Sequence, residues 1–157
     1  MNSGDVAGGA RPQAGGGPRS VCFERAFPIR FSHCDPAGIV FFPQYLVLFN
    51  QLVEDWFTEG LGISYAGMIG PRRVGLPIVR LECDFRAIAR MGETLTFSVA
   101  VERIGGKSLT LALEARGDEV LRVASRQVLV FTDLNTHHAI ALPEDVRAAL
   151  AACVSAA

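Results

Sequence analysis

Residues 33–57 read HCDPAGIVFFPQYLVLFNQLVEDWF: a lone carboxylate, Asp35, then Pro and Gly, then a strongly apolar run. Within that run Tyr45, Leu48, Phe49, Leu52, Val53, Trp56 and Phe57 recur at the i, i+3, i+4, i+7 spacing of one helical face. Pro43 suits the first helical position, where its missing N–H removes nothing, and Gly60 or Gly62 suits the C-terminal stop. Leu46 and Val47 widen the apolar face beyond a stripe, so the helix calls for cover on more than one side. It is the expected central and most buried element.

Upstream, VCFERAFPIRF (21–31) alternates, with Val21, Phe23, Arg25, Phe27, Ile29 and Phe31 on one face, and Pro28 argues for a sheet edge or a bulge. Downstream of a Gly- and Pro-punctuated connection from Leu61 to Gly75, alternation dominates. LPIVRLECDFRAIA predicts a long strand from Leu76 to Ala89. ETLTFSVAVERI sets Leu95, Phe97, Val99 and Val101 against Thr94, Thr96, Ser98 and Ala100. KSLTLALEAR does the same with Leu109, Leu111, Leu113 and Ala115, and EVLRVASRQVLVFT is the final strand. Gly105-Gly106 and Gly117-Asp118 predict tight turns with glycine supplying positive φ, making this part an antiparallel meander. LPEDVRAALAACV, opened by Pro143 and an acidic first turn, predicts a short terminal helix. One strand, a long helix, then four antiparallel strands make an α+β layout with the helix packed on one curved sheet.

A chain of 157 residues, 50% hydrophobic, supports one ordinary core. The Gly-, Ala- and Pro-rich start, 1–20, is expected to be a disordered tail ahead of a single domain over 21–157. Net charge is -1 and the 15 basic residues are scattered, so no stripe exists to neutralise a phosphate backbone, and nucleic acid is an unsuitable partner. No apolar run reaches the roughly 20 residues that cross a bilayer. The start lacks the basic-then-apolar pattern of a secretory signal, so a cytoplasmic protein with no membrane partner is expected. Cys22, Cys34, Cys83 and Cys153 form no C-x-x-C pair and are expected to be free thiols.

The segment RFSHCDPAGIVFFPQY (30–45), with an edge strand followed by D-P-A-G-I-V, two aromatics, Pro and Tyr, resembles the hotdog-fold acyl-CoA thioesterases. Within them it is most similar to the 4-hydroxybenzoyl-CoA thioesterase family. The likeness continues through LPIVRLECDFRAIARMGETLTFSVAVERIGGKSLTLALE (76–114) and covers about residues 22–145. It implies a hotdog fold, a curved antiparallel sheet of about five strands wrapped around the long helix, so that 21–157 is a hotdog thioesterase domain. It also implies a homodimer or homotetramer with active sites at subunit interfaces. An unclosed sheet with long edges gives an independent reason for self-association.

Thioester hydrolysis needs a nucleophile or activated water at the carbonyl carbon and positive character where charge grows on the oxygen. A helix N-terminus near Pro43 can supply the second through its unpaired N–H groups and macrodipole. The resemblance makes Asp35 the catalytic carboxylate, as nucleophile or general base, and the Phe42 backbone N–H the donor to the thioester carbonyl. The residues alone leave open that Asp35 merely caps a turn, since Asp-Pro commonly starts a loop. Gly38 is expected to give the loop close backbone approach or a positive φ. Pro43 stands where the Tol-Pal-associated branch has a catalytic His. Asn50 stands where the 4-hydroxybenzoyl enzymes place an acid to meet the phenol, and its amide still hydrogen-bonds a hydroxyl. Lys107 and Ser108 in the GGKS turn are the first choice for the coenzyme A phosphates, with Arg72, Arg73, Arg90 and Arg126 behind them. A metal site from His33, Asp35 and His137 or His138 is disfavoured, Glu54 and Asp55 are read as solvated or interface-facing, and no cofactor is called for. The expected activity is hydrolysis of an aromatic or medium-sized acyl-CoA to coenzyme A and a carboxylate. The alternative is a non-hydrolytic acyl-CoA binding or assembly protein with the same fold; a hotdog hydratase would need a His beside the acid.

Overall fold

The computed structural model describes residues 19–156. The expected tail lies outside the described residues up to residue 18; near its end, Arg19 pairs with Glu102 at 2.6 Å. The elements are β1 (Phe23–Pro28), α1 (Phe42–Asp55), α2 (Tyr65–Ile69), β2 (Val74–Gly75), β3 (Ile78–Phe85), β4 (Thr94–Ile104), β5 (Ser108–Gly117), β6 (Val120–Val130), β7 (Thr132–Asp133) and α3 (Glu144–Ala156). Five strands form one sheet in the order β1-β4-β5-β6-β3, every pairing antiparallel, and β2 pairs with β7 as a separate ribbon. No helix among the described residues is long and apolar enough to cross a membrane.

All seven residues of the predicted helical face are buried, from Val53 at 4% exposure to Trp56 and Phe57 at 0%. The same period that made the face legible turns it onto the sheet, where Phe49 meets Phe97 edge-on at 5.2 Å. Leu95, Phe97 and Val99 of β4, and Leu109, Leu111, Leu113 and Ala115 of β5, form the opposing surface. Val101 is only half-buried because the β4–β5 register shifts between Val101 and Arg103. The helix begins one residue earlier than Pro43, at Phe42, with Phe41 as its cap. Beyond Asp55 it continues through a π-helical turn, Trp56–Gly60, and the left-handed Gly62, φ +70°, ends it.

Three expectations need correction. The strands after α1 are not a simple meander: β4, β5 and β6 are, but β3 crosses to the far side of the sheet and pairs with β6. That leaves β1 and β3 as the two edges, which accounts for Pro28 on β1. β3 is shorter than the predicted 76–89, because after Phe85 the chain leaves the sheet. In the β5–β6 turn the positive φ falls on Asp118 and Glu119, at 49° and 62°, while Gly117 stays in the strand. Glycine serves there by its missing side chain, since a Cβ would stand 2.6 Å from Leu95 Cδ2. At Gly105-Gly106 neither glycine has positive φ; a Cβ on Gly105 would stand 2.6 Å from Ser108 Oγ.

Because Phe49 is fully buried between helix and sheet, Phe49→Ala is expected to destabilise the chain by about 3–5 kcal/mol, read from the urea midpoint at unchanged slope.

Candidate active site

The loop between β1 and α1 is folded back on itself. Cys34 bridges Val40, the Asp35 N–H donates to the Ile39 carbonyl at 3.0 Å, and the Gly38 N–H donates to the Asp35 carbonyl at 3.0 Å. The Asp35 carboxylate accepts the Ala37 N–H at Oδ1, 2.9 Å, so the turn-capping role left open by the residues is real. Its Oδ2 accepts no hydrogen bond among the described residues, and the side chain is half-buried. Gly38 has φ +74° and an added Cβ would meet nothing within 4 Å, so what the position requires is the left-handed backbone itself.

The loop also settles which amide at the helix start remains available. Val40 donates to the Ala89 carbonyl, Phe41 to His33 and Gln44 to Phe41, each at 2.9 Å. Pro43 has no N–H. Of the residues from Val40 to Gln44, Phe42 alone keeps an N–H with no partner among the described residues, and it sits in the first turn where the macrodipole is most positive.

Phe42 also lines an apolar cleft of about 300 Å³, together with Ile39, Val40, Tyr45, Phe85 and the run Arg86–Ala89. Phe85 packs edge-on to Phe42 at 6.0 Å and lies 6.1 Å from Tyr45, so these three aromatics form one contiguous part of the wall. The Tyr45 hydroxyl is buried without a hydrogen-bond partner among the described residues. Burial pushes its pKa up to about 12; Glu93 and Cys34 add to the rise and Arg122 opposes it.

Asp35 and Gly38 belong to the preceding loop and are not among the residues lining the cleft, and the other predicted residues fall elsewhere in the protomer. Asn50 is exposed on the outer side of α1 and does not line the cleft. Lys107 and Ser108 lie at the β4–β5 turn, the opposite end of β4 from the Asp35 loop, a separation of about 33 Å for a strand of that length. Lys107 donates to the Ala139 carbonyl at 3.3 Å. Arg72 is held bidentately by Asp145 and Arg126 by Glu102, whereas Arg90 is exposed beside the cleft, bridging Ile39 through its backbone. His33 accepts the Arg30 N–H at Nδ1, while His137 and His138 belong to the loop near Lys107. Phe85 and the Arg86–Ala89 wall were not anticipated as site residues. Their signal was the run RAIA, whose alternation continues that of β3 and so reads as more strand.

The family description that matches residues 29–150 is the thioesterase-like superfamily. The chain belongs to that superfamily, and its fold is the hotdog. This hotdog chain is 32% identical over 124 residues to a 1,4-dihydroxy-2-naphthoyl-CoA hydrolase of Synechococcus sp. (strain CC9605), covering 75% of the chain and 82% of the relative. It is 28% identical over 135 residues to a 4-hydroxybenzoyl-CoA thioesterase of Pseudomonas sp. (strain CBS-3), covering 81% and 94%. A solved 1,4-dihydroxy-2-naphthoyl-CoA thioesterase from Synechocystis superposes with TM-score 0.75 at 22% identity, over 82% of the chain and 95% of that structure.

The raised Tyr45 pKa favours the neutral phenol in the fold, so its stabilising contribution is full below about pH 10 and is lost as pH climbs through about 12. Wild type is therefore expected to lose more stability than Tyr45→Phe between those limits, and at pH 7 the variant, freed of an unpaired buried hydroxyl, should be the more stable by about 1 kcal/mol, by urea unfolding.

Proposed function

We propose that this member of the thioesterase-like superfamily is an acyl-CoA thioesterase that releases coenzyme A and a carboxylate from an aromatic acyl thioester. The observation that carries the reading is the unpartnered N–H, at the tip of a buried helix, of Phe42, a residue that lines an apolar cleft and follows the Asp35 loop. Such a donor in a low-dielectric site stabilises negative charge developing on a carbonyl oxygen. With the oxygen held there, Asp35 acts on the carbonyl carbon. As nucleophile its carboxylate forms the new C–O bond, the C–S bond breaks, the thiolate leaves, and water then opens the mixed anhydride. As general base it takes a proton from water, whose oxygen makes that bond instead. The coenzyme A thiolate leaves readily, so neither route demands a strong acid.

Two features favour an aromatic acyl group. The cleft is walled by Phe42, Tyr45 and Phe85, and the relatives named above act on hydroxynaphthoyl and hydroxybenzoyl thioesters. Its volume lies at the small end of ligand sites, room for the acyl group with the nucleotide outside.

Asn50, Lys107 and Ser108 enter this reading through a second copy of the chain. Each is too far from the cleft or faces away from it in its own protomer. β3 is an open edge with Val79 and Leu81 exposed, a surface that a second sheet edge would cover. In such a homodimer, or a tetramer of two, Asn50 would meet a polar group on the acyl ring and Lys107 with Ser108 the phosphates. A second reading, acyl-CoA binding without hydrolysis, is favoured by one observation: Asp35 Oδ1 is engaged with Ala37.

Thiol release from a panel of aryl and alkyl acyl-CoA esters separates the two. Asp35→Asn is expected to lower kcat by about 100-fold or more with the fold intact by circular dichroism; equal turnover in the variant would remove Asp35 from the mechanism. Lys107→Ala is expected to raise KM by about tenfold and leave kcat near wild type, and the reverse pattern would count against phosphate binding.

A further inference from the structure

The outer wall of the cleft, Arg86–Ala89, lies beyond the end of β3 and is held by one residue of β6. The Arg122 carbonyl accepts the N–H groups of Arg86 and Ala87, at 2.8 and 3.2 Å. Its guanidinium then reaches the same segment, donating from Nη1 to the Ile88 carbonyl. Nη2 lies 3.2 Å from Glu93 Oε2, and Glu93 Oε1 accepts the Arg90 N–H at 3.1 Å. Arg122 and Glu93 thus grip both ends of a segment that supplies four of the nine residues lining the cleft.

The grip is built into the packing. Arg122 is 14% exposed at its side chain and lies across Gly117, where an added Cβ would stand 3.3 Å from Nε and 3.4 Å from Nη2. Arg122 Nε, Glu93 Oε2 and the neighbouring Tyr45 hydroxyl are all buried without a hydrogen bond among the described residues; the Glu93–Arg122 approach is an ion contact short of hydrogen-bond geometry. Each buried orphan costs stability, so a cluster kept for stability alone would have them paired or replaced by apolar groups. The forked, planar guanidinium is what lets one side chain serve a carbonyl and a carboxylate together, which an ammonium on a flexible stem does not reproduce.

We propose that Arg122, braced by Glu93, is a positioning residue that sets the width of the acyl cleft and thereby the choice between acyl groups of different size. It does not line the cleft, and it acts through Arg86–Ala89. This deepens the thioesterase reading and rests on it.

The test compares wild type with Arg122→Lys and with the double variant Arg122→Met/Glu93→Gln, which leaves no lone buried charge. Hydrogen exchange reads the Arg86 and Ala87 amides, and kcat/KM is measured for benzoyl-, 4-hydroxybenzoyl- and 2-naphthoyl-CoA. The expected result is exchange at residues 86–90 faster by about tenfold with β4 and β5 amides unchanged. The wild-type preference between one-ring and two-ring esters should shrink by about tenfold in both variants. Unchanged exchange at 86–90 overturns the clamp, and an equal fall in kcat/KM for all three esters overturns its role in selectivity. Should the double variant not fold, Arg122→Lys carries both readings. Inactivity of wild type on every ester would defeat the thioesterase reading instead, and exchange alone would then rule on the clamp.

Discussion

The apolar face of α1 is held against the inner surface of β4 and β5, and the position of every other functional group follows from that contact. Leu48, Phe49, Leu52, Trp56 and Phe57 are at most 1% exposed, and side chains of this size each contribute roughly 1.5–3 kcal/mol when fully buried. A helix packed that completely has little freedom to slide or turn. Its first turn is therefore a rigid platform, and the amide it presents is aimed by the core rather than by a loop.

The local chain then decides which amide that is. The His33 carbonyl takes the Phe41 N–H, the Phe41 carbonyl takes that of Gln44, and Pro43 has none. What remains is Phe42, which also lines the apolar cleft. Asp35 belongs to the same loop and uses one oxygen to hold the turn, so the catalytic role proposed for it need not compete with the structural one: the carboxylate has a second oxygen.

Much of this was legible in the residues because it rests on period and spacing. The helical face, the inward rows of β4 and β5, the edge position signalled by Pro28 and the left-handed Gly38 each follow from local patterns. The pairing of β3 with β6 was not legible, since alternation reports that a strand exists but not its neighbour. The end of β3 was hidden for a related reason. Arg86–Ala89 keeps an alternating pattern after leaving the sheet, because it now packs one side on the cleft and is held from the other by Arg122. Lys107 was reached by family likeness and Asn50 as a departure at a family position, yet their separation from Asp35 in one protomer reflects three-dimensional layout that no short motif encodes.

The most direct measurement is a crystal structure with an aryl-ketone analogue of an acyl-CoA, in which a methylene replaces the thioester sulfur so that nothing can be cleaved. The expected result places the ketone oxygen about 2.7–3.1 Å from the Phe42 nitrogen. Asp35 Oδ2 should then stand about 3–3.5 Å from the carbonyl carbon, or one water away. A ketone oxygen bound away from Phe42, with the aryl ring outside the cleft, would contradict the central role given to that amide.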